Sequence, residues 1–316
     1  MTNSRDGVTA WYRELTGKDS PPSEAVRMGN RRAAALMSLF LNFFSDDLSP
    51  DQIKEIAGSC GVRTDDAYVE CVAALCNVGT DAADRAFTDR YLRKMIKEIP
   101  QDEFLNDPYY KTVVLPEVET GSGPFTLRMQ TLAPCEAFVR DDFLLLPDGR
   151  MLPQIGFFMD AYRYPAVLEN GREWMTLLPN EIRTTLPAVE RAKGRVLTYG
   201  LGLGYYAFRA SAKEDVSSVT VVEKSPELLD LFRTFLLPQF PHKDKIVLVN
   251  DDAFAFAARL TPDSPYDCVF ADIWHDVGDG KELYLRFKTY EKNLPSAVYD
   301  YWLERTIRCY LATELW

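Results

Sequence analysis

Histidine is nearly missing from this chain: two occur in 316 residues. The six cysteines, Cys60, Cys71, Cys76, Cys135, Cys268 and Cys309, form no CxxC pair, and two lie inside apolar runs. Scattered thiols and scarce imidazoles make no case for a zinc site, so no metal is expected. The thiols read as free and buried, as in a reducing compartment, and a cytoplasmic location is expected. Positive charge is also in deficit, with 36 Lys and Arg against 47 Asp and Glu and a net charge of −11. A nucleic-acid-binding surface depends on basic contacts to phosphate, and no basic run is present, so no nucleic-acid partner is expected. Long apolar runs are absent too. The most apolar stretch, Ala33 to Phe44, is too short to span a bilayer and is broken by Ser38 and Asn42, so no membrane partner is expected. The start of the chain (Thr2, Asn3, Ser4, Arg5, Asp6) is too polar for a signal peptide. There are no internal repeats and no low-complexity tract.

Residues 1–106 read as a helical N-terminal domain. Ala33, Leu36, Met37, Phe40 and Phe44 recur at helical spacing, and Asp51–Ala57, Asp65–Cys76 and Ala82–Ile99 continue the pattern, with Ser49-Pro50 and Thr64 as helix starts. Segment 51–76 has the outline of a helix-turn-helix, but its acidic charge and the lack of a basic second helix favour a plain helical subdomain. Composition shifts near Asn106-Asp107-Pro108. Residues 107–177 form a β-rich connecting segment. Short apolar runs (Phe125–Met129, Ala137–Val139, Phe143–Leu146, Gln154–Phe158) alternate with turn residues such as Pro147-Asp148-Gly149, as in a small antiparallel sheet. A helix follows from Pro179, capped by Asn180, to about Ala192. Residues 178–316 then alternate strand and helix, with strands at 195–199, 218–223, 245–250 and 266–271. That alternation predicts an α/β, Rossmann-like parallel sheet.

The most informative stretch opens this last part. Val196-Leu197-Thr198-Tyr199 runs into Gly200-Leu201-Gly202-Leu203-Gly204, an apparent helix follows, and a second β-branched run, Val219-Thr220-Val221-Val222, ends in Glu223. Glycines there let the backbone turn tightly and approach a ligand, and a carboxylate at the end of the second strand can accept from both ribose hydroxyls. Gly200-x-Gly202-x-Gly204 fits a hhxGxGxG loop, and Gly202-x-Gly204-x-x-Ala207 equally fits the dinucleotide fingerprint, so these elements define a nucleoside site without naming the cofactor.

The next two strands end in Asn250-Asp251-Asp252-Ala253 and Phe270-Ala271-Asp272. With these in order, residues 178–280 resemble the class I S-adenosylmethionine-dependent methyltransferases, near their spermidine synthase (aminopropyltransferase)-like branch. The resemblance implies S-adenosylmethionine as cofactor. It places Tyr199, Gly200, Gly202, Gly204, Glu223, Asp252, Ala253 and Asp272 around it: glycines at the methionyl part, Glu223 at the ribose, Asp252 with Ala253 at the adenine, Asp272 at the methionyl amine or the acceptor. Two features depart from the pattern. Thr198 stands where the family commonly has an acid, and Leu203 where aminopropyltransferases have one, although Asp272-Ile273-Trp274-His275-Asp276 echoes their Asp-rich loop.

Asp272 and His275 are the candidate catalytic residues, His275 as a base for an acceptor that carries a proton. Trp274 is expected to pack. The reading is therefore methyl transfer to a small-molecule acceptor, with aminopropyl transfer as one alternative and a non-catalytic cofactor-binding scaffold or sensor as another. Lys281–Lys292 and Ser296–Leu315 read as helices, which leaves the strand ending near Asp272 as a sheet edge. Segment 111–168, a C-terminal helix, or a second copy of the chain in a homo-oligomer is expected to cover it.

Overall fold

The computed structural model describes residues 21–116 and 120–312, with single positions 13, 17 and 316. Contacts gather the chain into two units. Unit 1 takes Met1–Gln101, Thr131–Tyr162 and Arg308–Trp316, and unit 2 takes Asp102–Gln130 and Arg163–Ile307. The segment 107–177, expected to stand as one connecting piece, thus contributes to both. Among the described residues the strands are β1 (Ile96–Glu98), β2 (Thr120–Ser122), β3 (Phe125–Leu132), β4 (Ala137–Leu145), β5 (Met151–Phe157), β6 (Tyr162–Glu169), β7 (Arg172–Thr176), β8 (Gly194–Tyr199), β9 (Val216–Glu223), β10 (Ile246–Asn250), β11 (Cys268–Ala271) and β12 (Val298–Tyr301). No helix among these residues is long and apolar enough to cross a membrane.

Unit 1 pairs helices with a three-stranded sheet in the order β1-β5-β4. The helix Glu24–Phe43 buries Ala33, Leu36, Met37 and Phe40, the stripe its spacing predicts. Ser49 caps Pro50–Cys60 through a reciprocal pair with Gln52, and Gly61 closes that helix in the left-handed region. Tyr68 of the helix Thr64–Leu75 stacks on Phe157 at 3.8 Å and donates its hydroxyl to the Cys135 carbonyl at 2.9 Å. The helix expected over Ala82–Ile99 does not run through. It is α-helical to Phe87, widens to a π-turn over Thr88–Leu92, and gives way to β1, which pairs in parallel with β5 from Ile96↔Ile155 to Glu98↔Phe157. Two causes act here. Pro100 disfavours helix just before it. All seven residues of β5 are buried, so the backbone groups of its second edge need a partner. The expected single antiparallel sheet is accordingly two sheets, the second being β2-β3-β6-β7.

Unit 2 carries a five-stranded sheet in the order β10-β9-β8-β11-β12, parallel throughout. Counted along the chain from β8 this is 3-2-1-4-5, a Rossmann-like order whose direction reverses between β8 and β11. The helices Tyr205–Ser211, Pro226–Leu231, Ala253–Arg259 and Val277–Lys288 lie in the crossovers. Two expectations are corrected. The helix before the glycine loop starts at Pro179 with Leu178, not Asn180, in the cap position. After Asp272 the chain makes a helix (Val277–Lys288), then β12, then a helix (Glu304–Leu311), so Ser296–Leu315 is not one helix and β11 is not an edge. β12 lies in register from Cys268↔Val298 to Ala271↔Tyr301, and Trp302 N–H continues the ladder to Ala271 O at 3.0 Å. None of the three expected covers is needed there. The strand escaped notice because a charge sits in its middle. Asp300 is nonetheless satisfied, accepting from Arg191 Nε at 2.9 Å.

A buried network secures the helix after the glycine loop. Asp107 accepts from Tyr109 N–H (2.8 Å) and Tyr205 Oη (2.9 Å) and pairs with Arg209, while Tyr109 Oη donates to Leu203 O at 2.7 Å.

Candidate functional site

Ligands of open parallel sheets lie beyond the carboxyl ends of the strands, at the reversal of strand order. In unit 2 the loops there are tied to one another. Gly200 N–H donates to Val222 O (3.0 Å), Asp251 N–H to Glu223 O (3.1 Å) and Asp272 N–H to Tyr199 O (2.9 Å). These bonds bring the ends of β8, β9, β10 and β11 around a cavity of about 440 Å³, within the range of small-molecule sites.

Of the residues singled out from the sequence, Gly200, Gly202, Glu223, Asp252, Ala253, Asp272 and His275 line this cavity. Tyr199 and Gly204 do not. Tyr199 is fully buried between Phe256 and Phe287. Gly204, at φ +76°, serves packing, because a Cβ there would strike Phe232. Both are corrected from cofactor contacts to supports of the sheet and loop. Gly200, at φ +91°, could bear no side chain, since a Cβ would run into the carbonyl oxygen of Asp272. The space over Gly202 holds the Met175 thioether, so β7 supplies a wall of the cavity through Trp174 and Met175.

Glu223 is buried and pre-oriented. Its Oε1 accepts from Ser225 N–H at 2.8 Å and its Oε2 from Leu201 N–H at 3.2 Å, which leaves acceptor capacity on each oxygen. Asp252 caps the helix Ala253–Arg259 by accepting from Ala255 N–H at 2.8 Å with one oxygen. His275 is exposed. Asp279 Oδ2 lies 3.2 Å from its Nδ1, and the Trp174 ring meets its face edge-on at 4.2 Å. A carboxylate at Nδ1 favours the proton there and leaves Nε2 as the basic nitrogen. Asp276 and Asp279 jointly cap Val277–Lys288. Trp274 is buried as expected and also lines the cavity.

The largest departure from the sequence reading is Glu181, in the first turn of the helix Pro179–Arg191. It lines the cavity and, with Asp272, also a chamber of about 20 Å³ under the glycine loop, which Thr185 and Thr198 line as well. Burial lifts both carboxyls. Asp272 is pushed up to about 7, and Glu181 well above the carboxylate range, with the Asp272 charge as a second cause. A single acid in a helix start carries no motif; the usable signal was that its helix runs directly into the glycine strand.

The charge inventory is one-sided. Glu173, Glu181, Glu223, Asp252 and Asp272 face the cavity, and Lys224 is the sole Lys or Arg in its described lining, with its Nζ 5.6 Å from the Trp174 ring. No group of three or more metal-ligating side chains occurs among the described residues.

No family model and no curated protein matches the chain. Among solved structures it is similar to the precorrin 8W decarboxylase of Methanobacterium thermoautotrophicum (18% identity, TM-score 0.27, over 35% of this chain and 55% of that one). It is also similar to a probable spermidine synthase from Corynebacterium glutamicum (23% identity, TM-score 0.30, over 35% of this chain and 44% of that one). The chain thus spans about half the length of each.

Proposed function

We propose that unit 2 is a class I-type S-adenosylmethionine-binding domain that transfers a methyl group to a small-molecule acceptor. The observation that carries this reading is the charge of the cavity. Five carboxyls and one lysine offer little counter-charge to a pyrophosphate-bridged dinucleotide and suit a nucleoside whose far end is cationic. The residues fit such a ligand. The glycine loop offers backbone without side chains, Glu223 has free lone pairs for the ribose hydroxyls, and Asp252 keeps one oxygen for the adenine amine while Ala253 N–H is close to it in sequence.

When bound, the cofactor supplies an activated methyl group on a sulfonium. The chain's part is to position the reactants and hold protons. Asp272 orients the amine or the acceptor. His275, oriented by Asp279, takes a proton at Nε2 from an acceptor that must lose one. Trp274, Trp302 and Met175 exclude water from the walls.

Aminopropyl transfer is the second reading, since the same negative cavity suits a polyamine. Against it, the acids after Asp272 are spent on the helix cap and do not line the cavity. The test is incubation with methyl-labelled S-adenosylmethionine and cell extract, beside calorimetry with S-adenosylhomocysteine and NAD. Label transfer with binding of the first ligand alone supports the reading. Binding without transfer points to a sensor, and NAD binding alone overturns it.

A further inference from the structure

The half of the cavity below Gly200 differs from the half at Glu223 and Asp252. Glu223 and Asp252 each hold backbone N–H groups with their carboxylates. Glu181 and Asp272 show no hydrogen bond or ion pair of their carboxyls among the described residues, yet both line the cavity floor and the chamber beneath it. Their neighbours are already engaged elsewhere. Arg183, two residues on, forks onto Glu103 (2.7 and 2.8 Å). Thr184 accepts from Trp302 Nε1 at 2.8 Å, and Thr198, on β8, brings a hydroxyl but no charge. Lys224, the cavity's lysine, stands over Trp174. Two acids without a counter-charge at one place cost stability unless a ligand brings the missing cation. That cation must be compact and rich in donors, because the space under Gly200 narrows to a chamber of about 20 Å³. A primary ammonium meets both conditions, whereas a guanidinium or a quaternary amine is too large or has no N–H.

We infer that Glu181 and Asp272 together form an ammonium subsite, in which Glu181, reaching in from the helix before the glycine loop, binds the amino group at the amino-acid end of the nucleoside cofactor. This rests on the reading that the cavity takes S-adenosylmethionine. Glu181 is then a determinant of which nucleosides bind, separate from the ribose and adenine contacts of Glu223 and Asp252. The raised proton affinities of the two acids agree with a site that awaits positive charge.

The test compares two probes by calorimetry on the full-length protein: S-adenosylhomocysteine, which carries the amino acid, and 5′-deoxy-5′-methylthioadenosine, which keeps the nucleoside and thioether and lacks it. Wild type is expected to bind the first at least tenfold more tightly. Glu181→Gln is expected to weaken the first by tenfold to a hundredfold, the scale of a lost hydrogen bond to a charged group. The second probe should change by less than twofold. A thermal melt no lower than wild type shows that the variant folds. Unchanged affinity for S-adenosylhomocysteine, or an equal loss for both probes, overturns the inference while leaving the cofactor reading in place. Wild type that binds neither probe overturns both.

Discussion

Asp272→Asn should stabilise the protein, and only above a certain pH. Burial lifts the Asp272 carboxyl from 3.8 to about 7. A rise of about 3 units, at 1.36 kcal/mol each, sets a ceiling of about 4 kcal/mol on the cost of ionising it. The side chain is half-buried, so water screens part of this, and about 2 kcal/mol is the working figure. The sign follows from proton counting. Below about pH 4 the carboxyl is protonated both folded and unfolded, and it contributes no pH dependence. Between about 4 and 7 the unfolded chain loses the proton first, so stability falls as pH rises, and above 7 the full cost remains. An asparagine has no such limb. Neutralising this position also relieves Glu181, whose own proton affinity the Asp272 charge helps to raise. The assay is urea unfolding at pH 3, 6 and 8 followed by fluorescence, which reports on unit 2 through Trp174, Trp274 and Trp302. The variant should match wild type at the lowest pH and exceed it by about 2 kcal/mol at the highest. A difference that does not vary with pH, or a variant weaker than wild type at pH 8, would refute the account.

Glu223→Ala should weaken S-adenosylhomocysteine at least tenfold by calorimetry, since it removes charge-assisted acceptors. Gly200→Ala should cost about 2–4 kcal/mol in chemical unfolding, because φ is +91° and the Asp272 carbonyl is backbone that cannot swing aside. If His275 is the base, His275→Gln should abolish the acidic limb of the pH–rate profile while leaving cofactor affinity within about twofold. Asp107→Ala should cost about 1–3 kcal/mol, as it takes the carboxylate partner from the buried Tyr205 hydroxyl and the half-buried Arg209 guanidinium; a shift in the urea midpoint reads it out.

The strands of the parallel sheet from β8 to β11 were legible within two residues at each end, because each is an apolar β-branched run stopped by glycine or acid. The same local grammar placed seven of the candidate site residues on one cavity. What escaped was whatever depended on partners distant in sequence. Ile96–Glu98 lies in a helical rhythm and becomes a strand because β5 needs a neighbour. Val298–Tyr301 is four residues long, and Tyr299 and Trp302 fit a helical face as well as a strand, so only the bare edge of β11 decides between them. Tyr199 looked like a ligand contact because it abuts the glycines, yet strand alternation turns it into the aromatic cluster of Phe256 and Phe287. Glu181 belongs to no motif, and its meaning comes from the second carboxyl brought near it by the end of β11.

The way the chain is divided also bears on its synthesis. It passes from one unit to the other after residues 101, 130, 162 and 307, so neither unit is a continuous stretch. Cys309 and Ala312 complete an apolar cluster with Phe143 and Met151, and they leave the ribosome after every residue of unit 2. Unit 1 therefore cannot finish its core before unit 2 has been made; its early helices must wait while the parallel sheet is synthesised. Such long loop closures slow folding and prolong the exposure of apolar surface. Deleting residues 308–316 should accordingly be felt in the unit that begins the chain, as chaperone dependence or aggregation, while the cavity's own residues stay untouched.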